Sequence, residues 1–128
     1  MTCFWDGILQ QLNLDDFRIM FNIQKKPNRL QFIILLKKFN HICENVKWMD
    51  KILSKKEKVE LYISVKDYNI NGINDGHLCS ICDFFLVLLC ELCQVNILHI
   101  YNKHNIFYNN TKNPRKLLTF HSNKKHFW

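Results

Sequence analysis

Cys3 stands in the stretch Met1-Thr2-Cys3-Phe4-Trp5-Asp6-Gly7-Ile8-Leu9-Gln10, and His126 stands near the far end of the chain in His126-Phe127-Trp128. A thiol and an imidazole brought together can cleave an amide. The imidazole takes the thiol proton, the thiolate adds to the carbonyl, and the imidazolium returns the proton to the leaving amine. Only the thiolate is nucleophilic, and the start of a helix, with unbonded backbone NH groups and a positive dipole end, favours it. Wound at about 100° per residue, Phe4, Trp5, Ile8, Leu9 and Leu12 gather on one side, and Cys3, Asp6, Gly7, Gln10 and Gln11 on the other. The spacing predicts a helix opening at Cys3 with the thiol off its buried face. Gly7, one turn on, leaves room above the sulfur. The Cys3 backbone NH would meet the oxyanion, and Gln10 and the loop at Gly76 are the candidates for a second donor. Asp6, in the first turn, suits the helix dipole but opposes a thiolate.

Several elements must position this pair. Residues 13–22 read as a short helical turn or an extended link. Asn28 and Gln31 form a capping box ahead of Leu30, Phe32, Ile33, Ile34, Leu35, Leu36 and Phe39, predicting a strongly apolar helix that packs across the first. Residues 41–50 read as a loop or short helix anchored by Trp48 and Met49. Ser54 and Glu57 form a second capping box, yet Val59, Leu61, Ile63 and Val65 alternate as in a strand; the specific cap favours helix. Residues 69–76 carry turn chemistry, and 77–93 read as a central helix, apolar almost all round. Residues 95–101 and 106–108 read as a hairpin around a turn at 102–105, with further strands at 117–121 and 126–128. Helices come first and strands last, so the expected class is α+β with a small C-terminal antiparallel sheet.

A chain of 128 residues reads as one domain able to bury roughly two thirds of its unfolded surface. The start lacks a basic, apolar secretory signal, so an intracellular location is expected. The apolar run 81–93 is broken by Asp83 and Glu91 and is too short to span a bilayer. Six cysteines in such a chain are expected to be reduced. Cys79-x-x-Cys82 and Cys90-x-x-Cys93 have the spacing of zinc knuckles, but on one helix they fall about 16 Å apart and cannot share a metal. No metal is expected, and Cys43 beside His41 also reads as structural. His77, His99, His104 and His121 lack ligand spacing and read as surface or satisfied core residues, while Asp83 reads as holding a neighbouring loop. The net charge of +7 is spread over scattered lysine pairs. It speaks for solubility and an anionic protein partner more than for nucleic acid.

From Cys3 to Leu9 the chain resembles the ovarian-tumour (OTU) cysteine proteases, in which Asp-Gly-Asn-Cys-Leu-Phe opens an amphipathic helix. Thr2 to Gln10 is also similar to the Thr-Cys-Tyr-x-Asn-Ser-x-Leu-Gln box of ubiquitin-specific proteases, but that catalytic domain is much larger, whereas a small OTU domain nearly fits. Two later stretches resemble the OTU pattern: Asp75-Gly76-His77 through the apolar helix to Val95-Asn96-Ile97-Leu98, and Leu117-Leu118-Thr119-Phe120 to His126-Phe127, where the family places its histidine before an aromatic residue.

The resemblance implies a papain-like α+β fold with Cys3 as nucleophile and His126 as base, acting without a cofactor on the C-terminal Gly-Gly linkage of ubiquitin or a ubiquitin-like protein. The orienting residue that the family places two positions after the histidine falls on Trp128, whose terminal carboxylate is the candidate substitute. Minimal, AT-rich versions look like proteins of large DNA viruses, so the expected location is the cytoplasm or a virion. The alternative is a non-catalytic member of the same fold, a structural or interaction protein such as a virion component. Its support is that no Asp-Gly-Asn precedes Cys3 and no acid or amide stands at 128.

Overall fold

The computed structural model describes residues 3–75, 77, 82–123 and 126–128. Helix α1 spans Cys3–Gln11 and buries Phe4, Trp5, Ile8 and Leu9, the face expected from the spacing. Helix α2, Leu14–Phe21, settles the open reading of the next segment. The Asn13 side chain accepts from the Asp16 NH while the Asp16 carboxylate accepts from the Asn13 NH, and Asn22, at φ 56°, ends the helix in the left-handed region. Helix α3, Arg29–Lys38, starts at the Asn28–Gln31 box and buries Phe32, Ile33 and Leu36.

Strands β1, Val46–Trp48, and β2, Lys51–Ile52, replace the expected loop or short helix. Met49 and Asp50 both take positive φ, 51° and 63°, the conformation of a two-residue hairpin turn, and the Met49 NH donates to the Phe107 carbonyl. A methionine does not announce such a turn, which is why the sequence hides it. Helix α4, Lys55–Lys66, forms at the Ser54–Glu57 box despite its alternating pattern. Only Val65 is buried in it, so the alternation faces mostly solvent. Lys37 Nζ donates to the carbonyls of Val65, Lys66 and Tyr68 at 3.2, 2.6 and 2.7 Å, placing a cation at the negative end of α4.

A 3-10 helix, Ile70–Asp75, occupies the expected loop. Helix α5 spans Phe84–Cys93, shorter than the expected 77–93, because Asp83 caps it: its carboxylate accepts from the NH groups of Phe85 and Leu86. Strands β3, Asn96–Tyr101, and β4, His104–Asn110, form the expected hairpin around Asn102 and Lys103, both at positive φ. Strand β5 is Leu117–Ser122.

The sheet order is β2-β1-β4-β3-β5, and the expected antiparallel sheet is corrected to a mixed one, since β3 and β5 run parallel. After β4 the chain passes the start of β3 and pairs along that strand's free edge. Arg115 and Lys116 pin this crossing. The Arg115 NH donates to the Gln94 carbonyl, its guanidinium to the Cys93 carbonyl at 2.7 Å and to Asp16 at 2.9 Å, and Lys116 Nζ reaches Asp16 at 2.8 Å. The helices pack on the sheet through an aromatic core, with Trp5 edge-on to Phe85 and Phe32, and Phe32 edge-on to Phe17. Among the described residues no helix is long and apolar enough to cross a membrane.

Asp16 is fully buried, and burial works against its charge. Bonds from Lys116, the Asn13 NH and Arg115 outweigh that and hold its carboxyl below the usual range. Asp16→Ala strands two cations and removes a cap, and should cost about 3 kcal/mol in urea unfolding at pH 7. Because the folded pKa is depressed, this contribution is present above the ordinary carboxylate range and is lost as pH falls through the lowered value. The gap between wild type and variant should therefore close in acid.

Candidate active site

Cys3 is the first residue of α1 and partly exposed, beside the buried Phe4 and Trp5. Met1 and Thr2 lie outside the described residues. The space expected above the thiol at Gly7 is taken. A Cβ built on Gly7 would stand 2.7 Å from Phe127 Cδ1 and 3.3 Å from the Phe127 carbonyl oxygen. Both the ring and the backbone of Phe127 therefore lie on α1 one turn beyond Cys3.

Residues 126–128 run beside the end of β5. Ser122 bridges Phe127 in antiparallel register, the backbones of His121 and Trp128 exchange two bonds of 2.7 Å, and the Asn123 NH donates to the His126 carbonyl. The Asn123 side chain accepts from the His126 NH at 2.9 Å. Phe127 stacks on Phe120, 5.2 Å between centroids, and also meets Phe4 at 4.9 Å and His99 at 5.6 Å. Alternation turns His126 and Trp128 away from that apolar contact, and His126 is exposed. At its other end, α1 closes the edge of β5: Gln11 Nε2 donates to the Thr119 carbonyl at 2.6 Å. The edge of β5 thus lies along α1, and the two distant chain segments meet at the helix start.

Among the described residues neither the Cys3 sulfur nor the His126 imidazole makes a hydrogen bond, so the two are not bonded to each other. Catalytic bonds are often loose before substrate arrives. Gln10 is exposed and seven residues along a continuous helix, about 10 Å from Cys3 by helical rise, too far to serve an oxyanion there. The other donor candidate, Gly76, lies outside the described residues. The Trp128 carbonyl oxygen accepts from the His121 NH and its ring stacks on His121 at 5.6 Å. That oxygen is thus already engaged with His121, away from the role of orienting His126. Asp6 has a partner in Arg29 at 3.7 Å.

The imidazole that touches α1 is that of His77. His77 Nε2 lies 2.6 Å from Asp83 Oδ2, both side chains are buried, and the His77 ring sits 4.2 Å from that of Phe4. Asp83 also caps α5, and its NH donates to the Tyr108 hydroxyl. His77 is thus the satisfied core histidine, and Asp83 the loop anchor, that the sequence suggested. What the sequence missed is their pairing, whose one signal was an acidic helix cap six residues after a histidine.

Cys3, Cys43, Cys90 and Cys93 carry free thiols. Burial, with carboxylates nearby, pushes Cys43, Cys82 and Cys93 up to about 12, and Cys90 is raised as well. Those four stay protonated at neutral pH and make poor nucleophiles or metal ligands. Cys79 lies outside the described residues, among which no cluster could hold a metal ion. A groove of about 610 Å³ lined by Ile23, Lys25, Lys26, Pro27, Ile34 and Leu35 contains neither Cys3 nor His126. The chain matches no family model, no curated protein and no solved structure.

Proposed function

We propose that this chain is a thiol-dependent hydrolase of papain-like, OTU-like architecture that cleaves ubiquitin or ubiquitin-like C-terminal bonds, with Cys3 as nucleophile and His126 as base. The observation that carries the reading is the seat of Phe127 on Gly7, which draws the segment bearing His126 to the helix that begins with Cys3. A partly exposed thiol at a helix start, set among four thiols that burial keeps protonated, supports the same assignment. One observation favours the non-catalytic alternative: the His126 imidazole has no orienting partner among the described residues.

The test is incubation with ubiquitin carrying a C-terminal electrophile, followed by mass spectrometry. A single adduct on the peptide containing Cys3 supports the hydrolase. No adduct from protein shown to be folded moves the assignment to a structural or interaction protein.

A further inference from the structure

His99 is fully buried on β3, where it faces inward with Ile97. Its Nε2 lies 2.6 Å from Ser122 Oγ, and its Nδ1 has no partner among the described residues. Ser122 is the residue of β5 that bridges Phe127. The His99 ring also meets Phe127 directly, 5.6 Å between centroids. An imidazole is an expensive choice for an apolar interior, since a buried polar group costs free energy unless it is bonded. Its side-chain bond ends on the residue that faces Phe127, between His121 and Asn123, whose bonds hold the segment bearing His126.

We propose that His99 is a positioning residue for the Cys3–His126 pair: by its ring contact with Phe127 and its bond to Ser122 opposite that residue, it supports from inside the sheet the segment that seats Phe127 on Gly7, and so fixes where His126 stands. The inference rests on the hydrolase reading above. It also gives the site a pH dependence of its own. Burial is the main cause holding the His99 pKa below the usual histidine value. His121 on β5 acts in the same sense, and Asp83 at the start of α5 acts against it, though its carboxylate is already committed to His77 and to the NH groups of Phe85 and Leu86. Tyr101 on the same strand, 6.2 Å away between centroids, is a further titratable ring beside it. Protonation would place a charge, with an Nδ1–H lacking an acceptor, beneath Phe127. The unfolded chain takes up that proton more readily. Stability is therefore full above about pH 6.5, declines as pH falls below it, and levels off once the lowered folded value is passed.

Two variants separate positioning from packing. His99→Gln can still bond Ser122 and never carries charge, while His99→Phe fills the ring's space and leaves Ser122 without its partner. Three quantities are measured between about pH 5 and 8: the rate of Cys3 modification by iodoacetamide and by the ubiquitin electrophile, the thermal midpoint, and the ring-proton NMR shifts of His126 and Trp128. His99→Phe should shift the His126 and Trp128 signals and slow the ubiquitin adduct roughly a hundredfold at pH 7. His99→Gln should restore both, and should keep in acid the thermal midpoint that wild type loses. A folded His99→Phe protein with unmoved His126 signals overturns the proposal, as does a His99→Gln protein that shows the wild-type acid decline in its midpoint. If wild type reacts with iodoacetamide at Cys3 but not with ubiquitin, the hydrolase reading fails alone, and the NMR shifts and iodoacetamide rates still decide the role of His99.

Discussion

Cys3→Ala should abolish the ubiquitin adduct at every pH, whereas His126→Ala should slow it about a hundredfold or more at neutrality and recover part of the loss in alkali. The difference lies in what each residue supplies. Without Cys3 the remaining described thiols are held protonated by burial, Cys43, Cys82 and Cys93 up to about 12, and none of them stands ready as a substitute nucleophile. Without His126 the nucleophile remains but depends on bulk pH for its ionised fraction, which is small for an unassisted thiol at neutrality. The measurement is the initial rate of adduct formation across pH, with circular dichroism to show that each variant is folded. An adduct that survives Cys3→Ala would reassign the nucleophile. A His126→Ala rate equal to wild type at pH 7 would remove His126 from the mechanism, and the buried His77 would be the next imidazole to test.

Gly7→Val should cost about as much in rate for a different reason. In an ordinary helix interior, replacing glycine with a residue bearing a Cβ gains about 0.5–1 kcal/mol, because it restricts the unfolded chain. Here that Cβ would stand 2.7 Å from Phe127 Cδ1, and the ring is held by Phe120, Phe4 and His99 and cannot swing clear. Overpacking of this kind costs about 1–3 kcal/mol, so it outweighs the propensity gain. The least costly relief is for residues 126–128 to shift away from α1 together with the end of β5 to which His121 and Asn123 bond them, while the core beneath is close-packed. The segment bearing His126 then shifts relative to the helix that begins with Cys3. The expected result is a net loss of roughly 2 kcal/mol in urea unfolding with a fall in adduct rate of about a hundredfold, far beyond what the unfolded fraction explains. Gly7→Ala should show the same pattern more weakly. A folded Gly7→Val protein that reacts at the wild-type rate would mean that the seat of Phe127 on α1 does not matter to Cys3.

The features legible in the sequence are those that depend on residues within about one helical turn of each other. The wheel of α1 placed Phe4, Trp5, Ile8 and Leu9 inside and Cys3 at the helix start. The caps at Asn28 and Ser54 fixed the starts of α3 and α4, the second against a strand-like pattern, because a capping box is closed by side chains three residues apart. The β3–β4 hairpin followed from its own alternation. Gly7 reads in the sequence as open space beside Cys3 and is in the structure the seat of the Phe127 ring, a contact between chain ends that neighbouring residues do not encode.

What tertiary structure decided was every choice between partners. A connection of the length of 111–116 serves equally well to bring β5 antiparallel beside β4 or parallel beside β3. The issue is settled by Arg115 and Lys116 reaching Asp16, about a hundred residues earlier in the chain, and by Arg115 reaching the last carbonyls of α5. The β1–β2 hairpin exists because β4 offers Val46–Trp48 an edge, not because Met49 favours a turn. His99 and Ser122 are a pair only once β5 lies parallel beside β3. Local propensity and periodicity are written in neighbouring residues, whereas the choice of a distant partner depends on which buried polar groups would otherwise go unsatisfied, and that balance is struck only when the whole chain is packed.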